Sequence, residues 1–150
     1  MTIGVVTIFA DGKQSLKGSP SRDCFKYMHK QTCKDHWACD LDFIWVTKSP
    51  QPDIVAALDY KMYGDDVTFT EVIAYNALLM RGISVFIVQG CAETGSFNVH
   101  RYVGGHHLKP RYTLLFVRKT DSWGEFHAWE AEIRKAYALR FSSEGQTDGR

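Results

Sequence analysis

Two predominantly apolar runs of strand length lie next to each other near the middle of the chain, at residues 39–46 and 53–61. The link between them is polar and contains Pro50 and Pro52, and proline is disfavoured in the interior of a sheet. Apolar runs separated by such a short link are typical of neighbouring strands in one sheet. A hairpin is therefore the expected local structure.

Charged side chains lie at one end of this predicted hairpin. The first run contains Asp42, and the second ends with Asp59, Tyr60 and Lys61. Because side chains alternate along a strand, Asp59 and Lys61 project from the same face, and strand pairing brings Asp42 to the same edge. Two carboxylates held close together repel each other. A divalent cation would offset that repulsion, and the lysine could hold or polarise a water molecule.

The order of Asp42, a short hairpin, Asp59-Tyr60-Lys61, a helix and a strand resembles the PD-(D/E)XK nuclease superfamily over roughly residues 20–90. The resemblance implies that Asp42 and Asp59 bind magnesium or manganese and that Lys61 positions the attacking water. It also implies that the backbone carbonyl of Tyr60 completes the metal shell. The chain departs from the family pattern at Leu41, where the family has a proline before the aspartate.

Three further acidic residues are candidate metal ligands. Many members of the family carry a glutamate on the first helix, where this chain has only Asp23, and a first-turn aspartate also favours the positive helix end. Asp40 shares a strand face with Asp42 and is either a supporting group or the true ligand if the register is displaced. Glu71 lies near the start of the next predicted helix, where it either faces the metal or serves the helix dipole.

The literal Pro52-Asp53 pair does not fit the family role. Asp53 lies on the same predicted strand as Asp59 and precedes it by six residues. At about 3.3 Å per residue, the two carboxylates would be roughly 20 Å apart and could not share a cation.

Cysteine and histidine residues cluster before the hairpin. The spacing of Cys33, His36 and Cys39 would suit zinc, with Cys24 or His29 as a fourth ligand. No paired Cys-x-x-Cys motif is present, and free cysteines are commonly buried as small apolar side chains. Structural zinc is therefore not expected.

The pattern of apolar runs and turn residues predicts the element order β-α-β-β-α-β-β-β-α. A helix at residues 70–81 followed by an apolar run at 84–88 predicts a βαβ crossover with parallel strands. The expected fold is an α/β, restriction-endonuclease-like mixed sheet flanked by helices. We expect one domain over residues 1–141, with a last helix ending near Leu139, and a disordered tail at 142–150.

The segment 91–111 mixes cations, aromatic residues and glycines. This composition suits a loop that follows a phosphate backbone and stacks on bases, with Arg101, Lys109 and Arg111 as nucleic-acid contacts. An exposed hairpin with outward polar side chains is an equally good interpretation. His106 and His107 are not expected to share a metal, because adjacent residues on a strand point apart.

The bulk composition restricts the class of partner. The chain of 150 residues is 45% hydrophobic and 23% charged, which is ordinary for a globular domain. The net charge of +1 gives no global attraction to nucleic acid, so affinity must come from a local patch or a metal-bridged phosphate. No apolar run approaches bilayer-spanning length, so no membrane partner is expected. The N-terminus lacks signal-peptide features, which predicts a cytoplasmic location and reduced cysteines.

The sequence therefore predicts a magnesium- or manganese-dependent nuclease that cuts phosphodiesters, with DNA rather than RNA as the expected substrate. One alternative keeps the fold without the chemistry, as a nucleic-acid- or protein-binding module such as one from a phage or mobile element. Another treats Asp59 and Lys61 as a surface ion pair of little energetic consequence. A homodimer remains an open option.

Overall fold

The computed structural model describes residues 39, 41–48, 51–109 and 111–144, with side chains as far as residue 140. The predicted first strand and first helix lie outside these residues, as do Asp23, Asp40, and Cys33 and His36 of the zinc alternative. The single-domain prediction over residues 1–141 and the expected disorder after residue 144 are therefore left as predictions.

Five strands form one sheet in the order β1-β2-β3-β4-β5. Their bounds are Phe43–Thr47 for β1, Asp53–Lys61 for β2, Ser84–Cys91 for β3, Ser96–His106 for β4 and Arg111–Asp121 for β5. Strands β2 and β3 run parallel, and the other neighbouring pairs are antiparallel. The described part of the chain thus confirms the predicted hairpin, the parallel crossover and a mixed α/β sheet.

The crossover from β2 to β3 is helix α1, Phe69–Met80. Its start is fixed by a capping box, in which the Thr68 side chain accepts from the Glu71 amide and the Glu71 carboxylate accepts from the Thr68 amide. After the helix, Gly82 adopts a φ of 75°, a conformation that favours glycine. The helix predicted at residues 70–81 is confirmed.

Helix α2, Trp123–Glu144, follows β5. The side chain of Ser122 caps its start by accepting a hydrogen bond from the Glu125 amide at 3.2 Å. The helix runs five residues past its predicted end near Leu139, because no glycine or proline interrupts the chain before Gly145. Among the described helices, none is both long and apolar enough to cross a membrane.

The two helices cover opposite faces of the sheet, and each face has its own apolar core. The α1 face buries Ala57, Val67, Val72, Tyr75, Val85, Ile87 and Tyr102. The α2 face buries Val55, Ala56, Leu58, Phe86, Val88, Phe97, Val99, Phe126 and Trp129. Since the sheet is covered on both sides, β2 and β3 carry nearly continuous apolar runs, as parallel strands inside α/β proteins do.

Candidate active site

Asp42 lies directly before β1, beside the end of β2. Phe43 pairs with Leu58, so Asp42 falls opposite Asp59 in the antiparallel hairpin. Its Oδ2 accepts a hydrogen bond from the Tyr60 amide at 2.9 Å, and its carboxyl group also contacts that of Asp59. The hairpin therefore holds two carboxyl groups against each other at this edge of the sheet.

Asp59 is almost fully buried, with 3% of its surface exposed. The Tyr75 hydroxyl of α1 donates a hydrogen bond to its Oδ2, and Lys61 Nζ lies 3.2 Å from the same oxygen. Burial raises the pKa of Asp59 to about 6; the Tyr75 bond and Lys61 oppose this rise, whereas the Asp42 carboxyl adds to it. The ionised form of Asp59 is thus disfavoured by burial and stabilised by Tyr75 and Lys61.

Lys61 is enclosed between two carboxylates. Its Nζ lies 2.5 Å from Glu71 Oε1 in addition to its contact with Asp59. Burial alone would lower the pKa of Lys61, but the hydrogen bond to Glu71 and the charges of Asp59 and Glu71 raise it above the ordinary value. The side chain therefore stays protonated and acts as a hydrogen-bond donor rather than as a base.

The interpretation of Asp59 and Lys61 as a surface ion pair is wrong. Their side chains are only 5% and 12% exposed, and both contact buried groups of α1. The pair is part of the core at the carboxyl end of a parallel strand, which is where ligands of open α/β sheets tend to bind.

Helix α1 contributes two residues to this cluster, Glu71 and Tyr75. The sequence predicts Glu71 as a metal ligand or a helix-dipole residue; the structure places it in the first turn, where it also anchors Lys61 and caps the helix. The spacing of Thr68 and Glu71 in the sequence is the signal that predicts such a cap. The sequence does not predict the contact of Tyr75 with Asp59, because nothing in the sequence context of Tyr75 separates it from an ordinary core aromatic residue.

Tyr60 of β2 is held by hydrogen bonds to residues of both neighbouring strand segments. Its amide donates to Asp42, and its hydroxyl donates to the Gly90 carbonyl on β3 at 2.7 Å. Gly90 has a φ of 151°, and a Cβ built there would lie 2.2 Å from the Ser96 carbonyl oxygen. The backbone of β2 next to the carboxyl groups is thereby fixed in place, and the position of Gly90 admits no larger residue without movement.

The donor atoms offered here are hard oxygens. Asp42 and Asp59 supply carboxylates and Tyr60 a backbone carbonyl, which are the ligand types that Mg²⁺ and Mn²⁺ prefer. Glu71 uses both its oxygens for Lys61 and Thr68. Within the described residues, no group of three or more His, Cys, Asp or Glu side chains is arranged to hold a metal ion. A cation would therefore rely on two carboxylates, the carbonyl and water.

Asp53 lies at the other end of β2, opposite Thr47. Its carboxylate accepts hydrogen bonds from the Tyr137 hydroxyl and the Ile54 amide, and these bonds lower its pKa. Asp53 thus ties β2 to α2 and takes no part in the Asp59 cluster, as its sequence position predicts.

The three predicted nucleic-acid contacts do not form one patch. Arg101 pairs with Phe86 on β3 and lines a cleft on the α2 face of the sheet. Lys109 and Arg111 are exposed at the turn between β4 and β5. Since Arg111 precedes Leu115, the β5 partner of Arg101, by four residues, the two arginines are separated by roughly 13 Å along the sheet.

Comparison of the chain with known proteins found no matching family model, no matching curated protein and no matching solved structure. The class of the protein is therefore defined by its geometry, which in the described part of the chain is an α/β fold with a five-stranded mixed sheet and a helix on each face. Its distinguishing feature is the cluster at the end of β2, in which the buried Asp59 and Glu71 and the largely covered Lys61 lie beside the exposed Asp42.

Proposed function

We propose that the protein is a metal-dependent nuclease that hydrolyses phosphodiester bonds, with DNA as the favoured substrate. The observation that carries the proposal is the hydrogen bond from the Tyr60 amide to Asp42, which fixes a second carboxyl group beside Asp59. Lys61 Nζ lies 3.2 Å from Asp59 at the same place. The order of hairpin, helix and parallel strand is also the order on which the resemblance to PD-(D/E)XK nucleases rests.

In this proposal Asp42, Asp59 and the carbonyl of Tyr60 hold Mg²⁺ or Mn²⁺. A bound ion of this kind supplies charge neutralisation at the scissile phosphate and lowers the pKa of a coordinated water. Asp42 and Asp59 contribute fixed positions, since one is bonded to a strand amide and the other to Tyr75. The two carboxyl groups repel each other when both are ionised, and a cation between them removes that repulsion.

Lys61 has the role of an oriented donor. Glu71 holds its Nζ at 2.5 Å and keeps it protonated, so the ammonium is ready before substrate binds. Such a preorganised cation can position the attacking water or stabilise negative charge on the phosphate oxygens as it develops. Glu71 is a positioning residue in this scheme, because it acts through Lys61.

The test is a cleavage assay over duplex, branched, nicked and single-stranded DNA and RNA, with and without Mn²⁺. We expect cleavage of at least one substrate that requires the ion, and a loss of at least about a hundredfold in Asp59→Ala. The matched control is Asp53→Ala, which removes a carboxylate from the other end of the same strand and should retain the activity. Full activity in folded Asp59→Ala protein would exclude the mechanism.

The alternative of a binding module without catalysis has one observation in its favour. The charge of Lys61 is already met by Asp59 and Glu71, and the described residues bring only two carboxylates to the cation position. A binding module would shift the mobility of nucleic acid without metal, and Asp59→Ala would leave that shift unchanged. This alternative would be favoured if the wild-type protein produced such a shift but cleaved none of the substrates.

A further inference from the structure

A tight turn follows β2 directly after the lysine of the candidate site. It comprises residues 62–65 and is closed by a hydrogen bond from the Asp65 amide to the Met62 carbonyl at 3.1 Å. Gly64, the third residue of the turn, has a φ of 92°, a conformation that favours glycine at this position. Tyr63 therefore lies at the corner of the turn, and it is 67% exposed.

The backbone of this turn is fixed by two further hydrogen bonds. The Asp65 carboxylate accepts from the Met62 amide at 3.1 Å, and the Gln89 side chain of β3 donates to the Met62 carbonyl at 3.2 Å. A ring carried on a fixed backbone loses little conformational freedom when a ligand covers it. The turn thus presents the Tyr63 side chain in a nearly constant place.

The Tyr63 ring is available to a ligand. Among the described residues, its side chain makes no hydrogen bond and no ring contact. The preceding residue, Met62, is 64% exposed, so two large apolar side chains adjoin each other on the surface. Single exposed apolar side chains are common, but this pair follows Lys61 directly and so borders the reactive cluster.

The ring is close to the position that a scissile phosphate would occupy. Tyr63 comes two residues after Lys61, so their Cα atoms are at most about 7 Å apart. Lys61 Nζ in turn lies 3.2 Å from Asp59 Oδ2. A nucleotide whose phosphate is held at this cluster therefore has a neighbouring base within reach of Tyr63. Aromatic side chains bind bases by stacking, and every base has a face that can stack.

The charge of the turn determines which part of a nucleic acid can approach it. Asp65 and Asp66 are exposed, and residues 62–68 contain no lysine or arginine. Phosphates are therefore repelled from the turn, whereas an uncharged base is not. A duplex carries two phosphate backbones, with one charge per about 1.7 Å, so the acidic turn disfavours it more than a single strand. The bases inside a duplex are also stacked on both faces, and exposing one costs pairing energy.

We propose that Tyr63 stacks on an unpaired base next to the scissile phosphate, and that single-stranded DNA is the substrate of the site. The inference rests on the nuclease activity proposed above and names its substrate class. Lys61 and the two aspartates act at the phosphate, and Tyr63 holds the adjoining base. Because stacking does not distinguish strongly between bases, this contact selects an unpaired strand rather than a sequence.

The first experiment measures binding of the full chain to a labelled single-stranded oligonucleotide by fluorescence anisotropy, without divalent ions. Tyr63→Leu should weaken binding at least about fivefold, because it keeps an apolar side chain but removes the ring. Tyr63→Phe keeps the ring and should bind like the wild type. The matched control is Phe116→Ala, which removes an exposed ring from β5, three strands away from β2, and should leave binding unchanged.

An abasic position moved along the oligonucleotide identifies the stacked base. At one position it should weaken binding to the wild type at least about fivefold and leave binding to Tyr63→Leu unchanged, since the ring and the base form one contact. A duplex of the same sequence should bind the wild type at least about fivefold more weakly than the single strand. The proposal would be overturned by equal binding of Tyr63→Leu and wild type, or by duplex binding as tight as that of the single strand.

Cleavage with Mn²⁺ separates this inference from the proposed function. Tyr63→Leu should raise the KM for the single strand at least about fivefold and leave kcat within about twofold, because stacking holds the bound substrate and the transition state alike. Cleavage with an unchanged KM in Tyr63→Leu would overturn the role of Tyr63 and leave the nuclease standing. Ring-dependent binding without any cleavage would remove the nuclease and leave the contact with a single strand.

Discussion

Lys61 at the end of β2 and Glu71 in the first turn of α1 form an ion pair with 2.5 Å between Nζ and Oε1. The other carboxylate oxygen of Glu71 accepts the Thr68 amide at 2.7 Å. One side chain therefore caps the helix and orients the lysine of the candidate site.

Glu71→Gln should destabilise the protein by about 3 kcal/mol, because it leaves the buried Lys61 ammonium short of one opposite charge and weakens the helix cap. The matched control is Glu132→Gln, which breaks an exposed ion pair with Arg118 and should cost less than about 0.5 kcal/mol. Urea unfolding of the two variants measures the difference. Equal losses in both would show that the Lys61 pair behaves like a surface pair.

Tyr75→Phe should raise the pKa of Asp59 further, because the tyrosine hydroxyl is a group that stabilises the ionised carboxylate. The loss of stability, about 1–2 kcal/mol, should be larger at pH 8 than at pH 5, where Asp59 is protonated. Tyr102→Phe is the control, since its hydroxyl donates to the neutral Asn76 amide. Carboxyl NMR titration and unfolding at the two pH values measure both effects; an unchanged Asp59 titration would contradict the assigned hydrogen bond.

Asp59 should make the fold less stable as pH rises. Its pKa is about 6 in the folded chain and 3.8 ordinarily, so between these values the folded state binds more protons than the unfolded state. The contribution of Asp59 to the free energy of unfolding is therefore fully present below about pH 4, and it falls by up to about 3 kcal/mol by pH 7. Asp59→Asn should remove this slope. If the free energy of unfolding changed with pH in the same way in the wild type and in Asp59→Asn, the raised pKa of Asp59 would be contradicted.

Gly90→Ala should destabilise the protein by at least about 2 kcal/mol, because a Cβ at this position would lie 2.2 Å from the Ser96 carbonyl oxygen. Gly104→Ala is the matched control: its φ is also positive, at 137°, but nothing lies within 4 Å of the added carbon. We expect a loss of about 1 kcal/mol there from backbone strain alone. Thermal unfolding measures both, and similar losses would show that the strand can shift to accept the methyl group.

Sequence patterns predict the parts of this fold that depend on short-range periodicity. The two-residue spacing of Asp59 and Lys61 and the short link before β2 are sufficient to predict that these two residues share a strand face and that Asp42 lies opposite Asp59. The connection between β2 and β3 has the length of a helix, which predicts their parallel pairing. These features follow from residues close together in the chain.

The remaining contacts depend on how the helices are rotated and tilted on the sheet. Tyr75 reaches Asp59 because one face of α1 turns toward the end of β2, and helical periodicity does not distinguish that from ordinary core packing. Arg101 and Arg140 share a cleft because α2 packs across the sheet beside β4. No short-range sequence pattern predicts which residues these side chains contact. The contacts can be identified only from the tertiary structure.

The double use of the Glu71 carboxylate has a consequence for the order of folding. A chain in which the first turn of α1 is frayed loses the anchor of Lys61 along with the cap, so the ammonium is free to swing away from Asp59. Formation of the first turn of α1 and orientation of Lys61 are thus coupled through one side chain. We therefore expect Lys61 to reach its oriented position only after the crossover between β2 and β3 has closed.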